Sequence, residues 1–343
     1  MDSLENPWRG QGLPDEGLAG APWPSVDAAA VQGLLARCPA AAETPLLPVP
    51  GLGPDLWVKD ERGRMGLGSF KALGAAYVIA CDAAATGAED MGSALEGRAY
   101  VTASAGNHGL SVAAGARVFG ARAVVYLAGT VPESFAERLR GKGAEVLREG
   151  HDYAASMAAA ERAAEAGAGK LLSDSSWPGY MDLPHRLMEG YLAMAAEITA
   201  QADAPFDVIA LQAGVGGMAA AVAAYIRAVW GDGPRIVVVE PAFAPALIES
   251  IRAGRPVETE GPVSAMGRLD CKAPSLIALK GLARDADAFV TVTEDEAAAV
   301  LAALAGRGLA TTESGAAGVA ALLATGLGPQ TRALAIISEE AEA

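Results

Sequence analysis

Short apolar runs alternate with longer segments whose apolar residues recur at helical spacing, and the alternation repeats down most of the chain. "DLWVKDE" predicts a strand around Leu56–Lys59, and "GSFKALGAAY" opens an Ala-rich helix near Lys71. "RAYVTAS" predicts a strand, followed by a helix from about Asn107 to Phe119. "ARAVVYLAG" is a second such strand, and "PESFAERLRGKG" a helix with Pro at its start and Gly past its end. "AEVLRE" gives a third strand, residues 151–166 a helix, and "KLLSD" a fourth strand. After a loop with Trp177, Pro178 and Tyr180 a long helix is expected. Then come "DVIALQ", a helix over 217–230, "RIVVVEP", a helix near 293–305, and "ALAIIS". Short β-branched runs between helices indicate a mostly parallel α/β architecture with both sheet faces covered. Residues 1–25, with Gly, Pro, Trp8 and Trp23, read as an extended arm laid on the body or on a partner subunit. A lobe boundary is expected near Gly179–Leu183.

Composition narrows the classes. With 343 residues, 52% of them hydrophobic, the chain can bury a large core and build two lobes. Its 26 basic and 41 acidic residues give a formal charge of -15, which argues against a nucleic-acid groove or an anionic-membrane surface. Cys38, Cys81 and Cys271 form neither a disulfide framework nor a metal pattern, and no acidic cluster has a trusted ligand spacing. No targeting segment or membrane span is visible, so a cytoplasmic protein is expected.

In open α/β sheets ligands bind beyond the carboxyl ends of the strands, so the loops there are the places to look. "LQAGVGGMAAA" follows a strand and opens a helix, and its glycines let backbone N–H groups crowd round an anion. Gly214, Gly216 and Ala219 also match the G-x-G-x-x-A spacing, and Glu240 ends the next strand, where a dinucleotide fold places its ribose-binding acid. That loop alone admits a nicotinamide-dependent oxidoreductase. "TASAGNHG" makes a second nest, in which Ser104, Ala105, Gly106 and Asn107 suit a carboxylate; Asn107 could equally cap its helix. His108 reads as a packed helix residue. Asp174 in "LLSDSSWPGY" is either a turn former or an acid facing the cleft. Ser338, at the end of "ALAIIS", offers a neutral hydroxyl.

Together with "KDERGRMGLGSFKALGA", these loops resemble, in order, the fold-type II pyridoxal-phosphate enzymes, the group of serine and threonine dehydratases and tryptophan synthase β. The resemblance runs from about residue 44 to 338. It implies a two-lobed fold, with residues 1–80 and 185–343 as a large cofactor-binding domain and 81–184 as a smaller substrate-side domain. It implies pyridoxal 5'-phosphate as cofactor and a homodimer. Lys71 is then the Schiff-base lysine, with Gly214, Val215, Gly216, Gly217 and Met218 cradling the phosphate. Asn107 contacts the ring oxygen, and Ser338 faces the pyridine nitrogen, with Ser314 in "TTESGAAG" as the competing choice. Ser104, Ala105, Gly106 and Asn107 form the substrate loop. Within the family, "SDSSWPGYMDLP", "AMGRLDCKAPS" and "TTESGAAG" are most similar to the diaminopropionate ammonia-lyases.

Elimination needs a base at Cα and an acid at the leaving group. Lys71 is expected as the base, with its pKa lowered by burial and any nearby cation. A β-amine leaves as ammonium, which gives Asp174 a reason to be in the site. Aminoacrylate released by such a reaction hydrolyses to pyruvate and ammonia. Ala105 departs from the resembled lyases, whose loop carries an Asp linked to the D enantiomer, so an L preference is expected. The same departure keeps a serine, threonine or hydroxyaspartate dehydratase open. A binding protein without turnover is a further alternative, against which the intact Lys71 counts.

Overall fold

The apolar runs form strands buried along most of their length, because both faces of the sheets they build are covered. The computed structural model describes residues 1–342. Its strands are β1 (Ser3–Glu5), β2 (Leu46–Pro48), β3 (Asp55–Asp60), β4 (Ala99–Ala103), β5 (Arg122–Leu127) and β6 (Ala144–Arg148). They continue with β7 (Lys170–Leu171), β8 (Val208–Gln212), β9 (Arg235–Pro241), β10 (Ala288–Val292) and β11 (Arg332–Ile337). A seven-stranded sheet has the order β1-β10-β9-β8-β11-β3-β2, and a four-stranded sheet the order β6-β5-β4-β7. The smaller sheet is parallel throughout. In the larger one the inner pairs are parallel, and β1 and β2 close the two edges antiparallel. Short antiparallel edge strands leave little open ladder for another chain to join.

Strand alternation sorts the core into faces. Ile209 and Leu211 of β8, with Leu334 and Ile336 of β11, pack with Leu73, Met188, Tyr191 and Val222 on one side. Val208, Ala210, Ala335 and Ile337 pack on the other side with Ala316, Ala317 and Ala320 of the helix Glu313–Ala324. The first cluster runs on through Val112 and Ala116 to Val125 and Leu127 of the smaller sheet, so one hydrophobic layer joins the lobes. The helix Lys71–Ala84 lies in that layer and spans the boundary expected at residue 80.

The N-terminal arm lies on the chain's own body. β1 pairs with β10, the Trp8 indole donates to the Ile251 carbonyl at 2.8 Å, and Trp23 stacks under Lys280 and Arg284. Two expected helices are broken. The segment near 293–305 divides into Glu294–Ala299 and Leu301–Ala305, and the helix after Met181 divides at Tyr191 into Asp182–Gly190 and Leu192–Gln201. β10 and the helices Ala246–Ala253, Leu276–Asp285 and Glu313–Ala324 were not separated by the sequence pattern; Ala-rich and uniformly apolar stretches carry little periodic contrast.

Candidate active site

Lys71 owes its place to a turn stitched onto the end of β11. Met65, with φ 51°, and Gly66 and Gly68, with φ 66° and 78°, take left-handed backbone there. The Phe70 amide donates to the Ser338 carbonyl at 3.1 Å, and the Glu340 amide to the Gly68 carbonyl at 2.9 Å. Lys71 then opens its helix with its amine in the cleft between the sheets.

Asp174 reaches the same point from the smaller lobe. Its loop follows β7 and is fixed by Tyr180, whose hydroxyl accepts from the Ser173 amide at 3.0 Å and donates to the Leu171 carbonyl at 2.9 Å. Trp177 stacks on Tyr180 with ring centroids 4.4 Å apart. The Lys71 amine lies 2.5 Å from the Asp174 carboxylate.

The pairing overturns one expectation. Burial disfavours the Lys71 ammonium, but the Asp174 carboxylate outweighs it and holds the amine above its ordinary range. Burial likewise opposes the Asp174 charge, yet Lys71 and His108 hold that carboxyl well below the usual range. The pair is an ammonium and a carboxylate.

The glycine loop fits a phosphate. Gly216 caps the helix Gly217–Trp230 with φ 96°, and a Cβ added at Gly214 would meet the Cys271 sulfur at 2.9 Å. The first N–H groups of that helix lack intrahelical acceptors and are aligned with its dipole. Val215 and Met218 belong to the same turn, and Met218 is buried against the core. The Tyr191 hydroxyl is buried with no hydrogen-bond partner among the described residues, and its burial pushes it up to about 12. A lysine in the cleft, a glycine turn with free helix N–H groups and a buried phenol are groups that fit pyridoxal phosphate.

The second nest stands opposite. Gly106, not Asn107, caps the helix Asn107–Val118, so the helix-cap alternative for Asn107 fails. The Asn107 amide donates instead to the Glu339 carboxylate at 2.6 Å. The Ser104 hydroxyl is spent on the Gly106 and Gly109 amides at 3.2 and 3.0 Å, whereas Ala105 is exposed. His108 is buried, its ring nitrogen 2.8 Å from the Leu172 carbonyl.

Ser338 continues the alternation of Leu334 and Ile336 and so lies on the Lys71 side of β11; it is 4% exposed. The Ser314 hydroxyl is engaged, accepting from the Arg268 amide at 3.1 Å. Glu240 faces no ligand: its carboxylate accepts the Leu247 and Ile248 amides, each at 2.7 Å, and thereby caps the helix Ala246–Ala253. The dinucleotide reading loses its ribose-binding acid.

Three residues at this site were not singled out from sequence. Tyr153 opens the helix Tyr153–Glu165 and is 57% exposed, with its phenol within electrostatic reach of Asp174 and Cys271. Arg268 lies against Gly106, whose added Cβ would meet the arginine stem at 3.3 Å. Glu339 is buried beside Asn107 and Thr312. Only Glu339 left a signal, as a charge directly after a buried strand.

Comparison with known proteins agrees with this geometry. Residues 38–339 match the family described as pyridoxal-phosphate dependent enzyme. The diaminopropionate ammonia-lyase of Salmonella typhimurium is 32% identical over 265 residues, covering 71% of this chain and 65% of that protein. That of Escherichia coli is 30% identical over 297 residues, covering 81% and 74%. The chain thus spans about two thirds to three quarters of these curated relatives. An Escherichia coli diaminopropionate ammonia lyase crystallised with D-serine superposes with a TM-score of 0.87 at 25% identity, over 99% of this chain and 93% of that one. The L-threonine ammonia-lyase of Thermotoga maritima is more distant, 28% identical over 258 residues, covering 75% of this chain and 60% of that protein. A lysine and a glycine turn held at the ends of strands of the large sheet, together with a family match over residues 38–339, make the chain a member of the pyridoxal-phosphate dependent enzyme family.

Proposed function

We propose that this protein eliminates ammonia from 2,3-diaminopropionate, with the L enantiomer preferred, to give aminoacrylate and then pyruvate and a second ammonia. The observation that carries the reading is the contact between Lys71 and Asp174. The similarity to two diaminopropionate ammonia-lyases supports it.

Bound pyridoxal phosphate supplies an electron-withdrawing ring that takes up the electron pair released at Cα. Lys71 would hold the cofactor covalently between turnovers, and Gly214, Val215, Gly216, Gly217 and Met218 would hold its phosphate. Asn107 would meet the ring oxygen and Ser338 the pyridine nitrogen. With Lys71 committed to holding the cofactor, Asp174, partly buried at 21% exposure, would need another cation. The β-ammonium of a diamino acid is such a cation; the hydroxyl of serine is not. Asp174 would therefore keep the leaving amine protonated, while the freed Lys71 amine takes the Cα proton. Ser104, Ala105, Gly106 and Asn107 would receive the substrate carboxylate at the start of their helix.

The serine, threonine or hydroxyaspartate dehydratase reading keeps one observation, the neutral Ala105 in the substrate loop. We further propose a cytoplasmic homodimer, with residues 81–184 as the substrate-side domain. Among the described residues, no helix is long and apolar enough to cross a membrane.

The test is pyruvate release from L-diaminopropionate, D-diaminopropionate and L-serine, together with borohydride reduction and peptide mass spectrometry. The cofactor is expected on the Lys71 peptide and turnover on the L-diamine. Turnover of L-serine with none of the diamine would replace the lyase by a dehydratase.

A further inference from the structure

The charges lining the cleft are unbalanced. Asp174, Glu339 and Glu342 bring carboxylates, and the cofactor would add a phosphate. Lys71 is already paired with Asp174 at 2.5 Å, so its charge does not serve an incoming anion. Lys272 is spent, held at 2.6 Å by both the Phe243 carbonyl and the Asp270 carboxylate. Yet the substrate of the proposed reaction carries a carboxylate, and the nest at residues 104–107 offers it neutral donors only.

Arg268 is the cation placed to correct this. Its stem lies over Gly106, with Cδ 3.3 Å and Nε 3.6 Å from where a Cβ on that glycine would be. The Nε is buried and donates to nothing among the described residues; the Glu339 carboxylate stands 3.8 Å away, beyond hydrogen-bonding reach. Its other engagement is a 2.7 Å bond from Nη2 to Glu342, whose side chain is 67% exposed. An ion pair that open is worth little and exchanges readily. The backbone of Arg268 is anchored independently, its amide donating to the Ser314 hydroxyl and its carbonyl packed against Gly214. A fixed backbone, a stem laid on the substrate loop and a planar fork bonded only to an exposed carboxylate suit two-point capture of a carboxylate.

We propose that Arg268 is a specificity-determining residue that binds the substrate's α-carboxylate together with the 104–107 nest, and that Glu342 occupies the guanidinium until substrate displaces it. The assignment rests on the lyase reading above. It makes the enzyme selective for free amino acids over their neutral amides.

The test compares L-2,3-diaminopropionate with its carboxamide in the parent and in Arg268→Gln, Arg268→Lys and Glu342→Gln. For Arg268→Gln, KM for the acid is expected to rise on the order of tenfold or more with kcat nearly unchanged, since uniform binding is lost. The preference for acid over amide should collapse in the same variant. Arg268→Lys should recover part of it, and Glu342→Gln should lower KM for the acid. The visible band of bound cofactor, recorded for each variant, shows that the fold and the cradle are intact. An unchanged KM and preference in Arg268→Gln would overturn the proposal, as would a fall in kcat alone. Should Arg268→Gln not fold, Glu342→Gln still decides, and no change in its KM counts against the idea. If the parent turns over no diamino acid, the lyase reading has failed; Arg268 is then judged by whether L-serine, but not its amide, perturbs the cofactor band in the parent and not in the variants.

Discussion

Lys71 and Asp174 meet at 2.5 Å although 103 positions of chain separate them. One opens a helix fastened to the large sheet, and the other sits in the loop after a strand of the small one, so their contact spans the cleft. The relationship ties the electrostatics of the site to its assembly.

In the cofactor-free protein this pair sets two limits of stability. The Asp174 carboxyl is pulled below its ordinary range, so its contribution is present above that range and lost as pH falls. The Lys71 amine is raised, so its contribution is present below the ordinary lysine range and lost as pH rises. Asp174→Asn removes both. Thermal unfolding followed from acid to alkaline pH is expected to show a flatter profile in the variant, and kcat/KM for the L-diamine should fall by on the order of 10²–10⁴.

Ala105 is exposed in the loop before the helix Asn107–Val118, so a carboxylate placed there remains hydrated. Ala105→Asp is expected to fold normally and to gain turnover of D-diaminopropionate, which a coupled pyruvate assay on each enantiomer reads directly. Retention of a strict L preference would show that this position does not set the stereochemistry.

Gly216 has φ 96°, and an added Cβ would approach Ala278, Leu247 and Leu282 at 3.1–3.3 Å. The left-handed backbone alone costs a non-glycine residue about 1–2 kcal/mol. Gly216→Ala should therefore lower Tm and weaken pyridoxal-phosphate binding, measured by equilibrium titration of the cofactor band. An unaltered Kd would remove this turn from the phosphate site.

Glu240 is buried and pushed up to about 8, burial outweighing the two amides it accepts. A raised carboxyl contributes fully below its unfolded pKa and loses that contribution as pH rises through the folded value. Stability should consequently decline between roughly pH 4.5 and 8 through this group, whose ordinary value is 4.5. Glu240→Gln should flatten that interval in denaturant titrations. An identical decline in the variant would assign the effect to other groups.

Legibility followed local signal. The loop at 214–218 and the lysine segment were readable because glycines, a strand before and a helix after all fall within a few residues. Ser338 was readable as a strand terminus. Arg268 was not, since residues 255–275 form no regular element and carry no period to place a side chain. Tyr153 was hidden in a helix start that looks like any solvated turn.

Residue order alone determined that the chain would build parallel sheets under helices, because β-branched runs and helical periods are local properties of adjacent residues. It determined, too, that a lysine segment and a glycine-rich turn would lie in the connections that follow strands. Only the tertiary structure decided the charges. Whether Lys71 is neutral or an ammonium, whether Glu240 meets a ligand or caps a helix, and whether Asn107 caps or reaches across to Glu339 all depend on groups far away in the chain. Burial and Coulomb interaction act through space, over a few ångströms that the sequence does not order.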